Sequence, residues 1–232
     1  RTFKDFKPVM IWQDKGFLLS KNKYNENSII AEFYTEYHGK ITGVIFGASS
    51  KKIKNYLLIG NKFHLNFNSN QNGKIGYFKV EIDKIFTPVY FDNQKKLYSI
   101  IYTMNLVKIL TMENQSNKNI YYLIENFFEI LNKNHWILNL IFWELKFYKI
   151  IGYDINFAEY VKDIEIEGDK KYIVESNKKI IPNFLIDNSI IPRDNSEIIN
   201  GYKVVGDFLD KTILKPNNIS YPITRSEFLN LI

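Results

Sequence analysis

Three lysines lie within four residues at Lys51, Lys52 and Lys54, inside a polar stretch at 47–55. An ammonium group is a compact point charge, and several of them on a loop suit contact with successive phosphates. Only three of the 31 basic residues are arginine, the side chain that reads base edges through paired hydrogen bonds. The pattern predicts sequence-independent contact with a polyanion, and a solvated loop is the alternative interpretation.

Other side chains that could do chemistry are few and scattered. The chain has no cysteine, which excludes disulfides, a thiol nucleophile and cysteine-ligated zinc. His38 precedes a turn glycine, His64 alternates with apolar residues and should face away from a core, and His135 is predicted to cap a helix. Neither a glycine-rich phosphate loop nor a nucleophile elbow is present. The sequence therefore gives no positive evidence for an enzyme, a cofactor or a metal site.

Positive charge is concentrated at the start of the chain. Residues 1–90 carry 14 basic and 7 acidic side chains, whereas residues 91–232 carry 17 and 18. The whole net charge of +6 therefore comes from the first two fifths of the sequence. This asymmetry indicates that the N-terminal part meets a polyanion, although a charge of this size is also ordinary for solubility.

The elements that must position these lysines are strands. From Lys62 to Phe67 polar and apolar residues alternate with the period of two that is typical of a half-buried strand. Asn72-Gly73 is a strong hairpin signal before the return strand. Five short strands, at about 12–20, 28–34, 41–46, 62–67 and 77–86, fit a small closed barrel.

After Pro88 the period becomes that of a helix. Apolar residues recur at helical spacing near 98–110, 123–131 and 136–151, and two final helices are predicted at 196–214 and 225–232. The region between is mixed and contains a predicted hairpin at 171–174 and 179–181. The expected fold class is α+β, with an all-β module followed by an all-α module.

The predicted organisation has three parts. Residues 1–9 are interpreted as an extension before a natural start at Met10, residues 10–90 as a nucleic-acid-binding barrel, and residues 91–232 as a helical domain with an irregular insertion at about 153–195. The longest apolar run, Trp136 to Trp143, is shorter than the roughly 18 residues that a membrane span needs. We therefore expect no membrane association and a soluble cytoplasmic protein.

Several short motifs follow one another in an informative order. Within residues 12–63, Asn25 to Ile30 stands where one family has Gly-Glu-x-(Asp/Ser)-x-(Ile/Val), and Tyr34 to Gly39 where it has Phe-Thr-x-x-x-Gly. In this order the chain resembles the RecO family of bacterial recombination mediators and DNA repair proteins. The other matching segments are the basic loop 47–54, the approach to the fourth strand at 57–61, and later stretches at 150–155, 206–216 and 222–228.

The chain departs from the family pattern in three places. Asn25 replaces the usual glycine, which changes the backbone options of that turn. Many members carry a four-cysteine zinc module after the helical segment; Tyr160 falls near the first of those positions, and all four cysteines are lost here. Residues 1–9 precede the usual beginning.

The resemblance implies a five-stranded OB fold at 10–90 followed by helices. It also implies binding of single- and double-stranded DNA, annealing of complementary strands, and cooperation with RecR in loading recombinase onto DNA coated by single-stranded-DNA-binding protein (SSB). The acidic C-terminal tail of SSB is a further implied partner. Neither a cofactor nor catalytic turnover is implied, and the expected location is cytoplasmic and nucleoid-associated.

Lysines of the barrel are the candidate DNA contacts, because they supply counter-charge and release condensed counterions. Tyr56 or Tyr77 is a candidate for stacking on a base, with core packing as the alternative for each. A pocket for the SSB tail is expected between helices, with Lys146 or Lys149 near its carboxylates. The complete DNA-binding set is Lys21, Lys23, Lys40, Lys51, Lys52, Lys54, Lys62 and Lys74.

Two other function classes remain open from the sequence. In one, the chain is a protein-interaction scaffold whose DNA contact is incidental. DNA binding that persists at about 200 mM salt would argue against this class. In the other, the barrel binds RNA, which competition between the two nucleic acids would reveal. A hydrolase is least favoured, because no nucleophile and base can be named.

Overall fold

Five strands close into a barrel in the computed structural model, which describes residues 11–69, 75–166, 169–174 and 179–232. The order around the barrel is β1-β2-β3-β5-β4, with β4 pairing back to β1. The β3–β5 pairing is parallel and the others are antiparallel. This arrangement confirms the predicted five-stranded OB-type barrel. The strands are β1 Ile11–Asn25, β2 Ser28–Thr35, β3 Gly39–Phe46, β4 Lys62–Asn68 and β5 Tyr77–Lys84.

Apolar residues on alternate positions fill the barrel interior. The ring of Phe33 meets those of Phe63 and Phe78 edge to face, with centroids 5.7 and 5.1 Å apart. Leu18 and Leu65 complete this fully buried centre. Each large buried side chain stabilises the barrel by about 1.5–3 kcal/mol, so the alternating pattern determines which face of each strand turns inward.

The loop between β3 and β4 differs from the sequence expectation. Where a polar loop was predicted, the chain forms one helical turn, α1 (Lys51–Lys54), preceded by Ser50. Ile53 and the following Leu57 pack on the barrel core, which anchors the turn. The predicted Asn72-Gly73 hairpin lies outside the described residues.

Helices follow the barrel, as predicted. Asn93 begins α2, and its side chain accepts a hydrogen bond from the Lys96 amide at 3.1 Å. Asp194 begins α5 in the same way, accepting from the Glu197 amide at 2.9 Å. These are N-caps, which satisfy amides that have no partner within the helix. The long helices are α2 Gln94–Leu110, α3 Lys118–Ile130, α4 Trp136–Ile150, α5 Asn195–Phe208 with a wider continuation Leu209–Leu214, and α6 Ile223–Leu231.

His135 does not play the predicted capping role. It precedes α4 in the left-handed conformation, with φ 56°, and within the described part of the chain its imidazole makes no capping hydrogen bond. The left-handed conformation is uncommon for a residue with a side chain. The backbone turn, and not an imidazole contact, therefore sets the start of α4.

A small antiparallel sheet lies between α4 and α5. Its strands are β6 Val161–Ile166, β7 Asp169–Val174 and β8 Ile180–Ile181, in that order. Tyr172 pairs with Ile181, which confirms the predicted hairpin. The segment where many relatives of the predicted family carry a zinc module is thus a cysteine-free sheet.

The chain divides into two compact units. One contains the residues up to Glu125 with Pro222–Leu231, and the other contains Asn126–Tyr221 with Ile232. The division falls inside α3, whereas the change from strands to helices falls near residue 90. In the first unit α6 packs on α2, where the buried Arg225 donates from Nε to the Tyr102 hydroxyl at 3.2 Å. Among the described residues, every helix is too short or too polar to cross a bilayer.

Candidate nucleic-acid interface

Three of the predicted lysines line one cavity of about 290 Å³ on the barrel. The cavity lies between the β1–β2 hairpin and the segment that follows β3. Lys21 and Lys23 come from β1 and Lys54 comes from α1. The rest of the lining is one acidic residue, four polar residues and three apolar residues: Glu26; Asn22, Asn25, Ser28 and Ser49; Ile29, Ala48 and Leu57.

Lys21 is held in place by the backbone beyond α1. Its Nζ donates to the carbonyl oxygen of Leu57 at 2.6 Å. Burial lowers the pKa of Lys21, and the positive charge of Lys54 lowers it further. The two ammonium groups are therefore close enough for their like charges to repel each other.

The loop after β3 is fastened to the β1–β2 hairpin. The Ala48 amide donates to the Asn27 carbonyl oxygen at 3.2 Å, and the Ser49 hydroxyl donates to the side-chain oxygen of Asn27. The Lys54 amide donates to the Ser50 carbonyl oxygen at 2.9 Å. These bonds fix the backbone that carries Lys54 against the hairpin that carries the other two lysines.

A pair of aromatic rings, the exposed Phe46 and the half-buried Tyr77, lies at the same end of the barrel. The rings of Phe46 and Tyr77 have centroids 5.9 Å apart and planes inclined at 55°. Phe46 is 58% exposed. Its Cα partner on β2 is Ser28, which lines the cavity. The pair therefore offers an aromatic surface beside the lysines.

Sequence reasoning included Tyr77 but missed Phe46, because an aromatic residue inside an apolar strand reads as core. The available signal was the strand period, since Ile41 and Ile45 belong to the barrel core and Phe46 therefore falls on the opposite face of β3. Tyr56, the other candidate for stacking, packs against the barrel core near Phe63, with centroids 6.4 Å apart.

Lys40 lies away from the cavity. It is at the beginning of β3 and Phe46 is at its end, so a rise of about 3.3 Å per residue separates them by roughly 20 Å. The Lys40 ammonium donates to the Lys108 carbonyl oxygen at 2.8 Å, and burial lowers its pKa. The predicted DNA role of Lys40 is therefore not part of the surface we propose below.

Lys62 is buried, in contrast to its predicted place on an exposed face. Its side chain is 10% exposed and pairs with Glu125, with Asp83 also 3.8 Å away. Its ammonium lies 5.4 Å from the ring centre of Phe17 and 5.1 Å from that of Tyr121. Because the Lys62 ammonium is paired with Glu125 and covered by two aromatic rings, it is poorly placed to reach a phosphate. We therefore leave Lys62 out of the proposed DNA-binding surface.

The other predicted DNA lysines can be placed only in part. Lys51 and Lys52 share the single turn of α1 with Lys54, but their side chains lie outside the described part of the chain. Lys74 lies outside the described residues altogether. All three remain predictions.

The second unit contains an apolar groove of about 330 Å³. Lys179 and Lys211 contribute charge to its lining, and Lys179 pairs with Asp207. Lys146 and Lys149 are exposed on α4, and Lys149 pairs with Asp154 at 2.7 Å. The apolar part of the lining comes mainly from Ile155, Phe157, Tyr160, Val174, Ile181, Val204 and Phe208.

Two histidines pair with carboxylates on the barrel. His38 stacks on Trp12, with centroids 3.9 Å apart, and its Nδ1 lies 2.7 Å from Asp14. His64 faces away from the core, as predicted, with Nε2 2.8 Å from Asp83. Across the described ranges, three or more such groups never converge in a way that could hold a metal ion.

Comparison with known proteins matches both parts of the chain. A family model described as Recombination protein O N terminal matches residues 10–86, and one described as Recombination protein O C terminal matches residues 93–200. The DNA repair protein RecO of Bartonella henselae is 22% identical over 240 residues, covering 96% of this chain and 92% of the relative. That of Rickettsia typhi is 30% identical over 147 residues, covering 63% of this chain and 62% of the relative.

Proposed function

Because the chain belongs to the RecO family of DNA repair proteins, we propose that its barrel binds single- and double-stranded DNA and anneals complementary strands. With RecR, it would then help to load recombinase onto SSB-coated DNA. The proposed role is that of a binding mediator without catalytic turnover.

The observation that supports DNA binding is the shared cavity of Lys21, Lys23 and Lys54. Two complementary strands repel each other through their phosphates, and a cationic surface reduces that repulsion by replacing condensed counterions. Lysine contacts phosphates without reading bases, which suits a protein that must act on any sequence. Lys51 and Lys52 belong to the same helical turn as Lys54 and stay in the proposed DNA-binding set.

The apolar groove of the second unit supports a site for the SSB tail. An acidic peptide end needs positive charge, which Lys211 in the groove lining supplies, and apolar surface for its uncharged side chains. Lys146 and Lys149 remain candidate contacts for the same tail.

Annealing of complementary oligonucleotides, bare and SSB-coated, tests the function. We expect the protein to accelerate both reactions, and Lys23→Glu combined with Lys54→Glu to slow both. Lys95→Glu combined with Lys203→Glu is the matched control, since both lysines are exposed and the charge change is identical. Annealing at the uncatalysed rate with the wild-type protein would overturn the proposal, and equal loss in both variants would remove the cavity lysines from it.

A further inference from the structure

The cavity at the end of the barrel has the chemistry of a single nucleotide. Its lining combines three lysines and one glutamate with the apolar residues Ile29, Ala48 and Leu57. Its volume of about 290 Å³ is close to the lower limit of small-molecule sites, which begin near 300 Å³. A nucleotide combines an anionic phosphate with a flat, largely apolar base, and it matches both parts of this lining.

Among the described residues of the cavity lining, positive charge exceeds negative charge, with three lysines and one carboxylate, Glu26. In the part of the chain that the structure describes, no carboxylate lies within ion-pair distance of Lys23 or Lys54. The Lys21 ammonium is bonded to a carbonyl oxygen, which carries no full charge. A phosphate would therefore supply the anion that these three groups lack.

The aromatic pair is within reach of the neighbouring nucleotide. Phe46 is two residues from Ala48 and three from Ser49, both in the cavity lining, and it pairs across the sheet with Ser28. Cα partners on antiparallel strands are about 4.5–5.5 Å apart. An exposed ring so close to a phosphate-binding rim is arranged as OB folds arrange stacking side chains.

We propose that the cavity holds one unpaired nucleotide of a DNA strand, with its phosphate against Lys21, Lys23 and Lys54, while the adjacent base stacks on Phe46 and Tyr77. This inference rests on the proposed DNA-binding function and adds the form of DNA that the site prefers. A base within a duplex is paired and stacked on both sides, and it must leave the stack before it can enter. The site therefore favours single strands, and it does so without base preference because every base has an aromatic face.

The test compares Phe46→Ala with Phe91→Ala, a matched control because Phe91 is also 58% exposed and belongs to the same unit. We expect Phe46→Ala to lower single-strand affinity by about 5- to 150-fold, the range for stacking on one base, and duplex affinity by less than about twofold. Phe91→Ala should leave both unchanged, and Phe46→Trp should retain single-strand binding. Equal effects of Phe46→Ala on the two DNA forms, or none on either, would overturn the inference.

An oligonucleotide with abasic positions gives an independent readout. The wild-type protein should bind it less tightly than the normal strand, and Phe46→Ala should show a smaller difference between the two strands, because one of the partners of the bases is then missing from the protein. Discrimination by Phe46→Ala as strong as that of the wild type would contradict the inference. The variant that combines Lys23→Glu with Lys54→Glu separates the two proposals. If this variant binds DNA as tightly as the wild type, the proposed DNA-binding surface is wrong. If it binds DNA more weakly while Phe46→Ala has no effect, only the proposed nucleotide site is wrong.

Discussion

The Lys21 ammonium and the Leu57 carbonyl oxygen are joined by a hydrogen bond of 2.6 Å. Through it, β1 is tied to the segment that leaves α1, and two lysines far apart in sequence come to share one cavity. The same bond holds Lys21 where burial and the charge of Lys54 both lower its pKa. The charged form of Lys21 is thus less stable in this cavity than in water, and a bound anion would stabilise it.

DNA affinity should depend on the protonation of Lys21. Its pKa lies below that of an ordinary lysine in the free protein, and a phosphate favours the charged form, so DNA binding should take up protons in the pH range where free Lys21 begins to deprotonate. Affinity should therefore fall with rising pH before an ordinary lysine, with pKa near 10.4, begins to titrate. Lys21→Arg should flatten this part of the curve, because arginine stays charged.

Anisotropy titrations between about pH 7 and about pH 10 at constant ionic strength measure this effect. The informative quantity is the difference between the wild type and Lys21→Arg, since titration of the bases affects both equally. Lys95→Arg serves as the control and should follow the wild type. Identical curves for all three proteins would show that Lys21 does not meet the phosphates.

Lys62 should contribute to stability and not to DNA binding. Lys62→Met removes its pairing with Glu125 and its contacts with the Phe17 and Tyr121 rings. Because Glu125 is partly exposed, the free energy of unfolding should fall by only about 1–2 kcal/mol, which urea unfolding measures. A loss of DNA affinity comparable with that of the cavity lysines, with unchanged stability, would reverse this assignment.

Two glycines with the same backbone conformation should differ in their tolerance of alanine. Gly39 and Gly47 have φ values of 71° and 69°. A Cβ at Gly39 would lie 2.0 Å from the Gln115 carbonyl oxygen, whereas nothing lies within 4 Å of one at Gly47. Gly47→Ala should cost about 1–2 kcal/mol of unfolding free energy for its left-handed backbone alone, and Gly39→Ala should cost clearly more. Equal costs would show that the Gln115 backbone moves aside freely.

The proposed SSB-tail site makes a prediction about Lys211. Lys211→Glu places negative charge in the groove lining and should weaken binding of an acidic SSB tail peptide by about tenfold or more. The measurement is fluorescence anisotropy of the labelled peptide, with Lys133→Glu as the control because Lys133 is also exposed. If Lys146→Glu or Lys149→Glu weakens binding while Lys211→Glu does not, the tail lies on α4 and not in the groove.

The barrel could be predicted from sequence because its strands carry a local signal. Alternation of inward and outward residues, as at Phe63 and His64, needs no knowledge of distant contacts. Which lysines are exposed and which are buried could not be predicted in this way. Lys62 has the strand position of an exposed residue, but Tyr121 and Glu125 of α3 cover it, and such coverage depends on contacts about 60 residues apart.

The cavity was hidden for a similar reason. Lys51, Lys52 and Lys54 stand out as a run, yet the partners of Lys54 in space are Lys21 and Lys23 on another element. Phe46 lay within an apolar strand end, where composition favours burial over exposure. Sequence reasoning therefore identified the residue type and the module, while the grouping of residues required the fold.

The salt dependence of single-strand binding tests the central claim most directly. The claim is that Lys21, Lys23 and Lys54 contact phosphates together. Changing all three to glutamine should reduce the slope of log affinity against log salt, between about 50 and about 200 mM, by about 2, since each lost contact contributes about 0.7. The control changes the exposed Lys95, Lys133 and Lys203 to glutamine, with the same loss of net charge, and should leave the slope unchanged. An unchanged slope in the cavity variant, or an equal reduction in both, would contradict the account.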